Sequence, residues 1–320
     1  MPASDELVRR ALTAAGHGIG VQVAATLAGG VVADAWLIRY ADGSQVVAKS
    51  LAGAPGDLFA AEAEGLAALG ATGQVRTPAV LAVASDLLVL EVLGPLADHP
   101  AYWERCARDL AGLHRSTRPD QFGWPRDGYL GRLPQRNAWA SDGHAFFAEQ
   151  RLLRYVGEPL AEQALTAADR QALERLCGRL PAIIPAMPPV LTHGDLGSGN
   201  LLSAPGARPA FIDPAVSYTW AEVDLSMLWC GRRPPGSDRF FDAYQEFNPT
   251  PPGWEERFPV LFLRELLSAL AHDGPRPASS TASTRSWPHS GPAGAADRRA
   301  SVERKLLTDN SRKLSIEMCL

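Results

Sequence analysis

Four polar residues near the middle of the chain have the types and the order that phosphoryl transfer requires. The segment LTHGDLGSGNLL carries His193, Asp195 and Asn200, and the segment PAFIDP carries Asp213. In enzymes that transfer a phosphoryl group from a metal–nucleotide complex, one Asp accepts the proton of the acceptor hydroxyl, while an Asn and a second Asp hold magnesium. The spacing therefore predicts Asp195 as the catalytic residue, with Asn200 and Asp213 as ligands of Mg²⁺.

Apolar residues flank both segments and indicate that the polar loop connects short buried strands. Two apolar residues precede the loop, two follow it, and two more lead to Asp213. Short apolar runs bounded by turn residues are typical of buried strands. The alternative is purely structural: His193 and Asp195 would form a capped turn, and Asp213 an Asx-turn before the following proline.

The amino-terminal third contains a glycine pair and a lysine that suit a nucleotide site. The stretch TLAGGVVADAWLIRYADGSQVVAK predicts three strands, with turns at Gly29-Gly30 and Asp42-Gly43 and with Lys49 ending the third strand. Glycine lets the backbone approach phosphates closely, although it is also common in ordinary hairpins. Lys49 follows an apolar run, so its aliphatic stem is expected to be buried and its ammonium to need a partner.

Glu62 is the predicted partner of Lys49. In DLFAAEAEGLAALG, Phe59 and Leu66 share one helical face, and Glu62 lies between them on that face. A carboxylate on an apolar face is costly unless it is paired. A Lys49–Glu62 ion pair would hold the ammonium on the nucleotide phosphates, whereas two separate surface charges are the simpler alternative. Glu64 lies on the far side of the helix and is expected to be solvated.

The apolar run SDLLVLEVLGP marks an expected change from a β-rich lobe to a helical lobe. The backbone of Glu91, Val92 and Leu93 would then be free to bind an adenine edge, although a buried strand followed by a turn would look the same without a ligand. The predicted fold class is therefore α+β and bilobal, with a small antiparallel β-sheet lobe over residues 1–92 and a larger helical lobe over residues 93–273.

The helical region contains one irregular segment, QFGWPRDGYLGRLPQRNAWASDG, that is dense in Gly, Pro, Asn and aromatic residues. Such loops commonly carry recognition residues on a rigid scaffold, but this one could equally cover the core. After the last apolar helix pattern the character changes, because 19 of the 23 residues from Gly274 to Ala296 are Gly, Pro, Ser, Thr or Ala. Residues 274–320 are therefore expected to be a disordered tail.

The composition excludes several classes of protein. With 320 residues and 46% hydrophobic content the chain can bury the core of two lobes, and its net charge of −4 does not suggest nucleic acid or an anionic membrane as a partner. The four cysteines are scattered without metal-ligand spacing, which favours a reduced cytoplasm. No apolar run suits a membrane span, and the amino terminus predicts a short helix rather than a secretory signal. The oligomeric state stays open, with a monomer favoured.

The chain resembles the protein-kinase-like phosphotransferases of small molecules and, within them, the fructosamine kinase (ketosamine kinase) family. The segments GRLPQRN, LTHGDLGSGNLL and FIDPAVSYTWAEVDL are similar to that family's G-x-L-P-Q-x-N segment, its HGDLW-x-GN loop and its DPA segment followed by E-x-D-L. Aminoglycoside and choline kinases share the loop but usually lack the other two segments. The resemblance covers about residues 5–272.

The resemblance implies ATP-dependent phosphorylation of a sugar hydroxyl on a ketosamine, at the 3-hydroxyl in characterised members, on a small or protein-bound glycated amine. The phosphorylated adduct is unstable and frees the amine, which amounts to deglycation. His193 and Asp224 would support the catalytic loop, the latter by hydrogen bonds to its backbone, although a helix cap would also explain Asp224. The candidate substrate contacts within the matching segments are Gln135, Asn137, Trp220 and Glu222.

One departure from the family concerns the acceptor pocket. The family's Trp after HGDL is Gly197 in this chain, so the space beside the catalytic base should differ. An aminoglycoside or another small-molecule hydroxyl is therefore the alternative acceptor. A non-catalytic nucleotide-binding protein is a third interpretation, which the complete set of Lys, Glu, Asp, Asn and Asp disfavours.

Overall fold

The computed structural model describes residue 10, residues 21–27 and residues 33–275. The predicted Gly29-Gly30 turn, the predicted amino-terminal helix apart from residue 10, and residues 276–320 of the predicted tail lie outside this part of the chain. Within it, a β-sheet lobe is followed by a larger helical lobe, so the α+β class predicted from the sequence is confirmed.

In the described residues the first lobe is a five-stranded antiparallel sheet, with helix α1 inserted between its third and fourth strands. Its strand order is β1-β2-β3-β5-β4. The β2–β3 hairpin turns at Gly43, whose φ of +85° is a conformation that glycine adopts at little cost. The elements are β1 (Val21–Thr26), β2 (Asp34–Tyr40), β3 (Gln45–Ser50), α1 (Leu58–Ala71), β4 (Val80–Ala84) and β5 (Leu87–Glu91).

Alternation along β3 decides the direction of the Lys49 side chain. Val46 and Ala48 lie on one face of the sheet, where they are buried with residues of β2 and β5. Lys49 lies on the opposite face, because successive strand residues point to opposite sides. Helix α1 covers that second face with Phe59 and Leu66, which form a separate buried cluster. The pattern of one strand therefore brings the Lys49 side chain to α1.

The second lobe is built from seven helices and three two-stranded ribbons in the described residues. The helix that begins after Thr166 has the predicted capping box, in which Thr166 and Asp169 satisfy each other's backbone N–H groups. The helices are α2 (Pro100–Ser116), α3 (Gly143–Phe147), α4 (Pro159–Ala164), α5 (Ala167–Ile183), α6 (Glu222–Cys230), α7 (Asp238–Phe247) and α8 (Trp254–Asp273). A π-helical turn (Ala148–Leu152) and a 3₁₀ turn (Leu153–Tyr155) extend α3.

The ribbons position the polar segments singled out in the sequence. They pair β6 (Gly128–Leu130) with β7 (Leu133–Gln135), β8 (Val190–Thr192) with β11 (Ser217–Thr219), and β9 (Leu201–Ala204) with β10 (Arg208–Phe211). The fully buried β8 leads into His193, β9 begins directly after Asn200, and β10 ends two residues before Asp213. The predicted strands on both sides of the polar loop are thus confirmed.

The link between the lobes is tied to the catalytic half of the molecule. Gly94, just after β5, exchanges two backbone hydrogen bonds with Ser203 on β9, at 2.8 and 2.9 Å. The strand that ends the first lobe is thereby joined to the ribbon that follows Asn200. As for a membrane span, each helix in the described residues is too short or too polar to cross a bilayer.

Candidate active site

The loop from His193 to Asn200 carries Asp195, the predicted catalytic residue, and is called the catalytic loop below. It turns sharply at Gly194 and is held in place by His193. The His193 ring is fully buried, and its Nε2 lies 2.9 Å from the carbonyl oxygen of Ile212, while its Nδ1 lies 3.2 Å from the backbone nitrogen of Asp195. A neutral ring that donates from Nε2 and accepts at Nδ1 satisfies both contacts, and burial lowers the pKa of His193 accordingly. His193 therefore fastens the loop of Asp195 to the segment that leads into Asp213.

Asp224 holds the same loop through hydrogen bonds to its backbone. Its carboxylate accepts hydrogen bonds from the backbone N–H groups of His193 and Gly194, both at 2.8 Å. Behind it lies His114, whose Nε2 is 3.1 Å from Asp224 and whose Nδ1 is 2.7 Å from the Tyr244 hydroxyl. Burial alone would raise the pKa of Asp224, but the contacts with His114 and the two N–H groups hold it below the ordinary value. The expected backbone support is thus present, as an ionised buried carboxylate.

Asp195 lies in the loop with one side of its carboxylate held. The Asn200 amide donates to the Asp195 carbonyl oxygen at 2.7 Å and to carboxylate Oδ2 at 3.2 Å. Burial, followed by the nearby carboxylate of Glu265, raises the pKa of Asp195 to about 7, although Arg264 opposes the shift. A carboxylate with a pKa near neutrality is a better proton acceptor than an ordinary aspartate, which suits general-base chemistry.

Lys49 is joined to two carboxylates from different parts of the fold. Its Nζ lies 2.7 and 2.9 Å from the two carboxylate oxygens of Glu62 and 2.9 Å from Oδ1 of Asp213. The Lys49 and Glu62 side chains are each 13% exposed, so they are not independent surface charges. Burial alone would lower the pKa of Lys49, but the two carboxylates outweigh it and raise that pKa. The ammonium therefore stays charged between the sheet lobe and the loop after β10.

Asp213 and Asn200 offer the oxygen atoms that a magnesium ion would need. Asp213 has a φ of +55°, a strained conformation for a residue with a side chain, and such strain is typical of functional positions. Its Oδ1 contacts Lys49, whereas its Oδ2 and the Asn200 amide oxygen accept no hydrogen bond from the described residues.

These two oxygens fit Mg²⁺ in particular. That ion is usually held by one or two protein oxygens together with substrate phosphates and water. Among the described residues no group of three or more His, Cys, Asp or Glu side chains could hold a metal without such help. Asp213 Oδ2 and the Asn200 amide oxygen would therefore suit a magnesium ion that nucleotide phosphates also hold.

The linker predicted to meet adenine is partly engaged by the protein. The Glu91 backbone N–H donates to the Ala79 carbonyl at 2.9 Å, and the Glu91 carboxylate binds Arg76 and the Ala79 N–H. The backbones of Val92 and Leu93 make no hydrogen bond to the described residues. The groups available to an adenine edge are therefore those of Val92 and Leu93, whereas Glu91 anchors the linker to Arg76.

Gln135 and Asn137, two of the candidate substrate contacts, are each 1% exposed. The Gln135 amide donates to the carbonyl oxygens of Ala215 and Val216 at 2.9 and 3.3 Å and accepts from Arg264 at 2.7 Å. Asn137 likewise bonds to its own lobe. Because these groups are already paired within the protein, the geometry favours a connecting role over substrate contact.

Trp220 and Glu222 are equally enclosed, at 1% and 0% exposure. Phe122, His144 and Phe147 surround the Trp220 ring, and both Glu222 oxygens bind Arg257 of α8 at 2.5 and 3.0 Å. A carboxylate saturated by a buried arginine has no surface to offer a substrate. These contacts favour a packing role for the pair, and its contact with substrate stays a prediction.

Glu64 also differs from expectation. Its carboxylate is 40% exposed but contacts the Trp124 indole N–H and the Arg126 guanidinium, each at 2.9 Å. The helical face that the sequence marks as solvated is therefore an interface with the second lobe. Periodicity distinguishes apolar faces from polar ones, but it does not show whether a polar face meets water or another polar segment.

The sequence analysis missed two residues of α8 that meet the catalytic loop. Arg264 is 2% exposed and donates hydrogen bonds to the Gly194 carbonyl and to Gln135, and Glu265 stands close enough to raise the pKa of Asp195. One signal was present in the sequence, because Arg257 and Arg264 interrupt an apolar helix pattern seven residues apart. Charges on such a face are buried and need partners.

Gly197 leaves room beside the catalytic loop. Its φ of −76° is an ordinary value, and no heavy atom would lie within 4 Å of a Cβ placed there. A side chain would therefore meet neither steric conflict nor backbone strain. Because Gly197 has no side chain, the space at this position, two residues from Asp195, stays open.

The chain is similar to several known proteins. The sequence profile of the family described as "Fructosamine kinase" matches residues 5–281. A Klebsiella aerogenes protein named "Probable ketoamine kinase" is 35% identical over 258 residues, which are 78% of this chain and 87% of that protein. The crystal structure of a Thermobifida fusca protein assigned as a fructosamine-3-kinase has a TM-score of 0.77 at 29% identity and covers 96% of this chain and 98% of its own.

A more distant likeness concerns the fold alone. An ADP-bound aminoglycoside phosphotransferase gives a TM-score of 0.57 at 13% identity, covering 95% of this chain and 98% of its own. The two-lobed architecture is thus that of the protein-kinase-like phosphotransferases, as the sequence predicts.

Proposed function

The chain belongs to the fructosamine kinase family, and we propose that it transfers the γ-phosphoryl group of ATP to a sugar hydroxyl of a ketosamine. One observation carries the proposal: the Lys49 ammonium joins Glu62 of α1 to Asp213, and Asp213 follows the ribbon that begins directly after Asn200. With Asp195, whose pKa burial and the nearby Asp213 carboxylate help to raise, these residues are the proposed phosphate-binding, metal-binding and proton-accepting groups. Phosphoryl transfer depends mainly on such placement and on charge stabilisation.

In this reaction Asp195 orients the acceptor hydroxyl and takes its proton as the hydroxyl oxygen bonds to the γ-phosphorus and the bond from that phosphorus to the departing ADP breaks. Its raised pKa of about 7 makes proton acceptance favourable near neutral pH. The Asn200 amide keeps the carboxylate aligned by holding Oδ2. Asp224 keeps the loop itself in place, so that the hydroxyl meets the carboxylate in line with the phosphoryl group.

Lys49 binds the phosphates of ATP, and Glu62 fixes the direction of its side chain. Asn200 and Asp213 would hold Mg²⁺, which when bound neutralises charge on the phosphates. The backbone of Val92 and Leu93 is proposed to meet the adenine edge. The glycines Gly29 and Gly30 stay candidates for closing over the phosphates, as the sequence suggests.

The acceptor is proposed from the names of the relatives. The Klebsiella aerogenes protein is named as a ketoamine kinase and the Thermobifida fusca protein is assigned as a fructosamine-3-kinase, which supports a ketosamine phosphorylated at the 3-hydroxyl. The product would release its amine, so the enzyme would act in deglycation. A monomer in a reduced cytoplasm is the proposed setting, in line with three free cysteines among the described residues.

A second acceptor class is favoured by the space at Gly197. An opening two residues from Asp195 would admit a bulkier amine or sugar than a pocket closed by an aromatic ring. Aminoglycosides or other hydroxylated amines are therefore the alternative acceptors on the same scaffold.

Mass spectrometry can separate the two acceptor classes. The wild-type protein, incubated with Mg-ATP and a fructosylated lysine derivative, should give a phosphorylated adduct and then free lysine. An Asp195→Asn variant should lose about 10²- to 10⁴-fold in turnover, because it lacks a proton acceptor, while its Kd for Mg-ATP stays similar. Phosphorylation of an aminoglycoside with no phosphorylated ketosamine would reverse the ranking of acceptors. Inactivity of the wild type with both classes would leave a nucleotide-binding protein.

A further inference from the structure

Helix α1 is held on two opposite sides, and only one of them belongs to the nucleotide site. On the first side Glu62 binds Lys49. Two residues on, or about 200° around the helix, the Glu64 carboxylate accepts a hydrogen bond from the Trp124 indole N–H at 2.9 Å and meets Nε of Arg126 at 2.9 Å. Trp124 and Arg126 belong to the helical lobe, so this second contact crosses from one lobe to the other.

A second carboxylate strengthens the same contact. Asp57, the residue before α1, accepts a hydrogen bond from the Tyr129 hydroxyl at 2.5 Å and lies 3.8 Å from Nη1 of Arg126. Arg126 thus bridges the start of α1 and its second turn. One exposed ion pair contributes little by itself, but several groups that share one helix form a network whose geometry is set in common.

The helical lobe presents these donors on a rigid support. Asn137 donates from its side chain to the Arg126 carbonyl at 3.1 Å, and its backbone N–H donates to the Asp127 carboxylate at 2.8 Å. The Asn137 carbonyl accepts from the Trp124 N–H at 3.0 Å, and its amide oxygen accepts from buried Arg151 at 2.7 Å. The segment from Trp124 to Asp127 is therefore fixed to the core by one buried amide.

A close contact on α1 also favours a defined position of the helix. A Cβ on Gly65 would lie 3.1 Å from the Pro214 ring, so the helix approaches the segment after Asp213 closely at this residue. Because Glu62, Glu64 and Gly65 lie within one turn, a shift of the helix at one contact changes the others. The position of Glu62 relative to Lys49 is thus coupled to the contacts of Glu64.

We propose that Trp124 and Arg126 are positioning residues of the phosphoryl-transfer site: from the helical lobe they hold α1 where Glu62 meets Lys49. The proposal rests on the proposed kinase function but not on the identity of the acceptor. Neither residue touches the reacting atoms. Their effect passes through α1 to the Lys49 ammonium and hence to the phosphates of ATP.

The test is a set of charge-neutralising variants whose Kd for Mg-ATP is measured by calorimetry. Glu64→Gln and Arg126→Gln should each weaken Mg-ATP binding about three- to fivefold, the size expected for an exposed pair. The Kd of the double variant for Mg-ATP should be no higher than that of the single variant with the higher Kd, because both changes break the same contact. Trp124→Phe, which keeps the ring but removes the N–H, should act in the same direction. Glu174→Gln on α5, an exposed carboxylate far from this contact, is the matched control and should bind ATP normally.

A second readout distinguishes positioning from general stability. In a Lys49→Met background the phosphate contact is already lost, so adding Glu64→Gln should leave the Kd for Mg-ATP unchanged. The reversed pair, Glu64→Arg with Arg126→Glu, should recover part of the affinity that either change alone removes. The KM for the acceptor should stay within about twofold, since the contact does not involve Asp195.

Three results would overturn the proposal. The first is a lowered Tm with unchanged Kd for Mg-ATP, which would make the contact purely structural. The second is a raised KM for the acceptor with normal ATP affinity, which would make the segment an acceptor site. The third is equal weakening by Glu64→Gln with and without Lys49. The Kd for Mg-ATP is measured without an acceptor. The result of this test therefore does not depend on whether the acceptor is a ketosamine.

Discussion

Gly194 lies so close to Ala215 that a Cβ atom on Gly194 would sit 2.0 Å from the Ala215 carbonyl oxygen. The Ala215 N–H in turn donates to the His193 carbonyl at 2.9 Å, and Gly194 has a φ of +81°. The catalytic loop and the segment after Asp213 therefore interlock through backbone atoms. A neighbouring backbone cannot rotate away as a flexible side chain can, so this contact admits glycine alone.

Gly194→Ala should consequently damage both folding and catalysis. The left-handed conformation and the displaced backbone together should lower the free energy of unfolding by at least about 2 kcal/mol. Turnover should fall further, because the Asp195 carboxylate moves with the loop. Thermal unfolding and kcat measured on the same preparations check this expectation. Gly197→Ala is the matched control, since its φ is ordinary and its surroundings are open, and its Tm should match that of the wild type.

The polar loop and its flanking strands could be predicted from the sequence because the signals are local. Apolar runs on both sides of His193 and Asp195 define the strands, and the position of Glu62 on an apolar helical face predicts its pairing with Lys49. These features can be read from residues that lie close together in the sequence. They do not require knowledge of how distant segments pack.

The contacts that the sequence does not predict depend on distant packing. Arg264 contacts Gly194, seventy residues earlier, and that meeting requires the course of α8 across the lobe. Gln135 and Asn137 were expected to meet substrate because polar residues in a motif look alike whether they bind a ligand or the backbone. Only the contacts of Gln135 with Ala215 and Arg264 separate these two cases.

The raised pKa of Asp195, caused first by burial and then by Glu265, predicts a pH dependence that a change at Glu265 should shift. Asp195 must be ionised to accept a proton, so kcat/KM should rise with pH up to about 7 and then level off. Glu265→Gln removes a negative charge that favours the protonated form, so the pKa of Asp195 should fall and the rise should move to lower pH. A pH–rate profile of both proteins measures the shift.

The control for that profile is Glu255→Gln. Glu255 is an exposed carboxylate in the first turn of the same helix, ten residues before Glu265, so the variant has the same change of net charge at a different position. Its profile should coincide with that of the wild type. Equal shifts in the two variants would show that net charge, rather than the position of Glu265, sets the pKa of Asp195.

The buried hydrogen-bonded residues Asp224, His114 and Tyr244 support the catalytic loop. Variants along this series should have graded effects on stability and turnover. Asp224→Asn cannot accept both backbone N–H groups and His114 as the carboxylate does, so it should lose about 3 kcal/mol of stability and most of its turnover. Tyr244→Phe removes only the hydroxyl at the far end, which should cost about 1 kcal/mol. Chemical denaturation and kcat should follow the same order. A Tyr244→Phe effect as large as that of Asp224→Asn would contradict a brace centred on Asp224.

Variants of the ion pair between Glu222 and Arg257 can distinguish a packing role of Glu222 from contact with the substrate. Glu222→Gln would leave the buried guanidinium without its counter-ion, although the Pro251 and Pro252 carbonyls still accept from it. Breaking a buried pair in this way should destabilise the fold by about 3 kcal/mol. The protein that remains folded should show an unchanged KM for the acceptor, because Glu222 has no exposed surface.

Replacing both members of that pair provides the decisive comparison. Glu222→Met combined with Arg257→Met exchanges two buried charges for apolar side chains, so it should recover much of the stability that Glu222→Gln loses. Both proteins should keep the wild-type KM for the acceptor, because α6 and α8 stay packed in each. If instead Glu222→Gln raises that KM severalfold while its Tm stays at the wild-type value, then Glu222 meets the substrate and the packing role argued from its contacts with Arg257 is wrong.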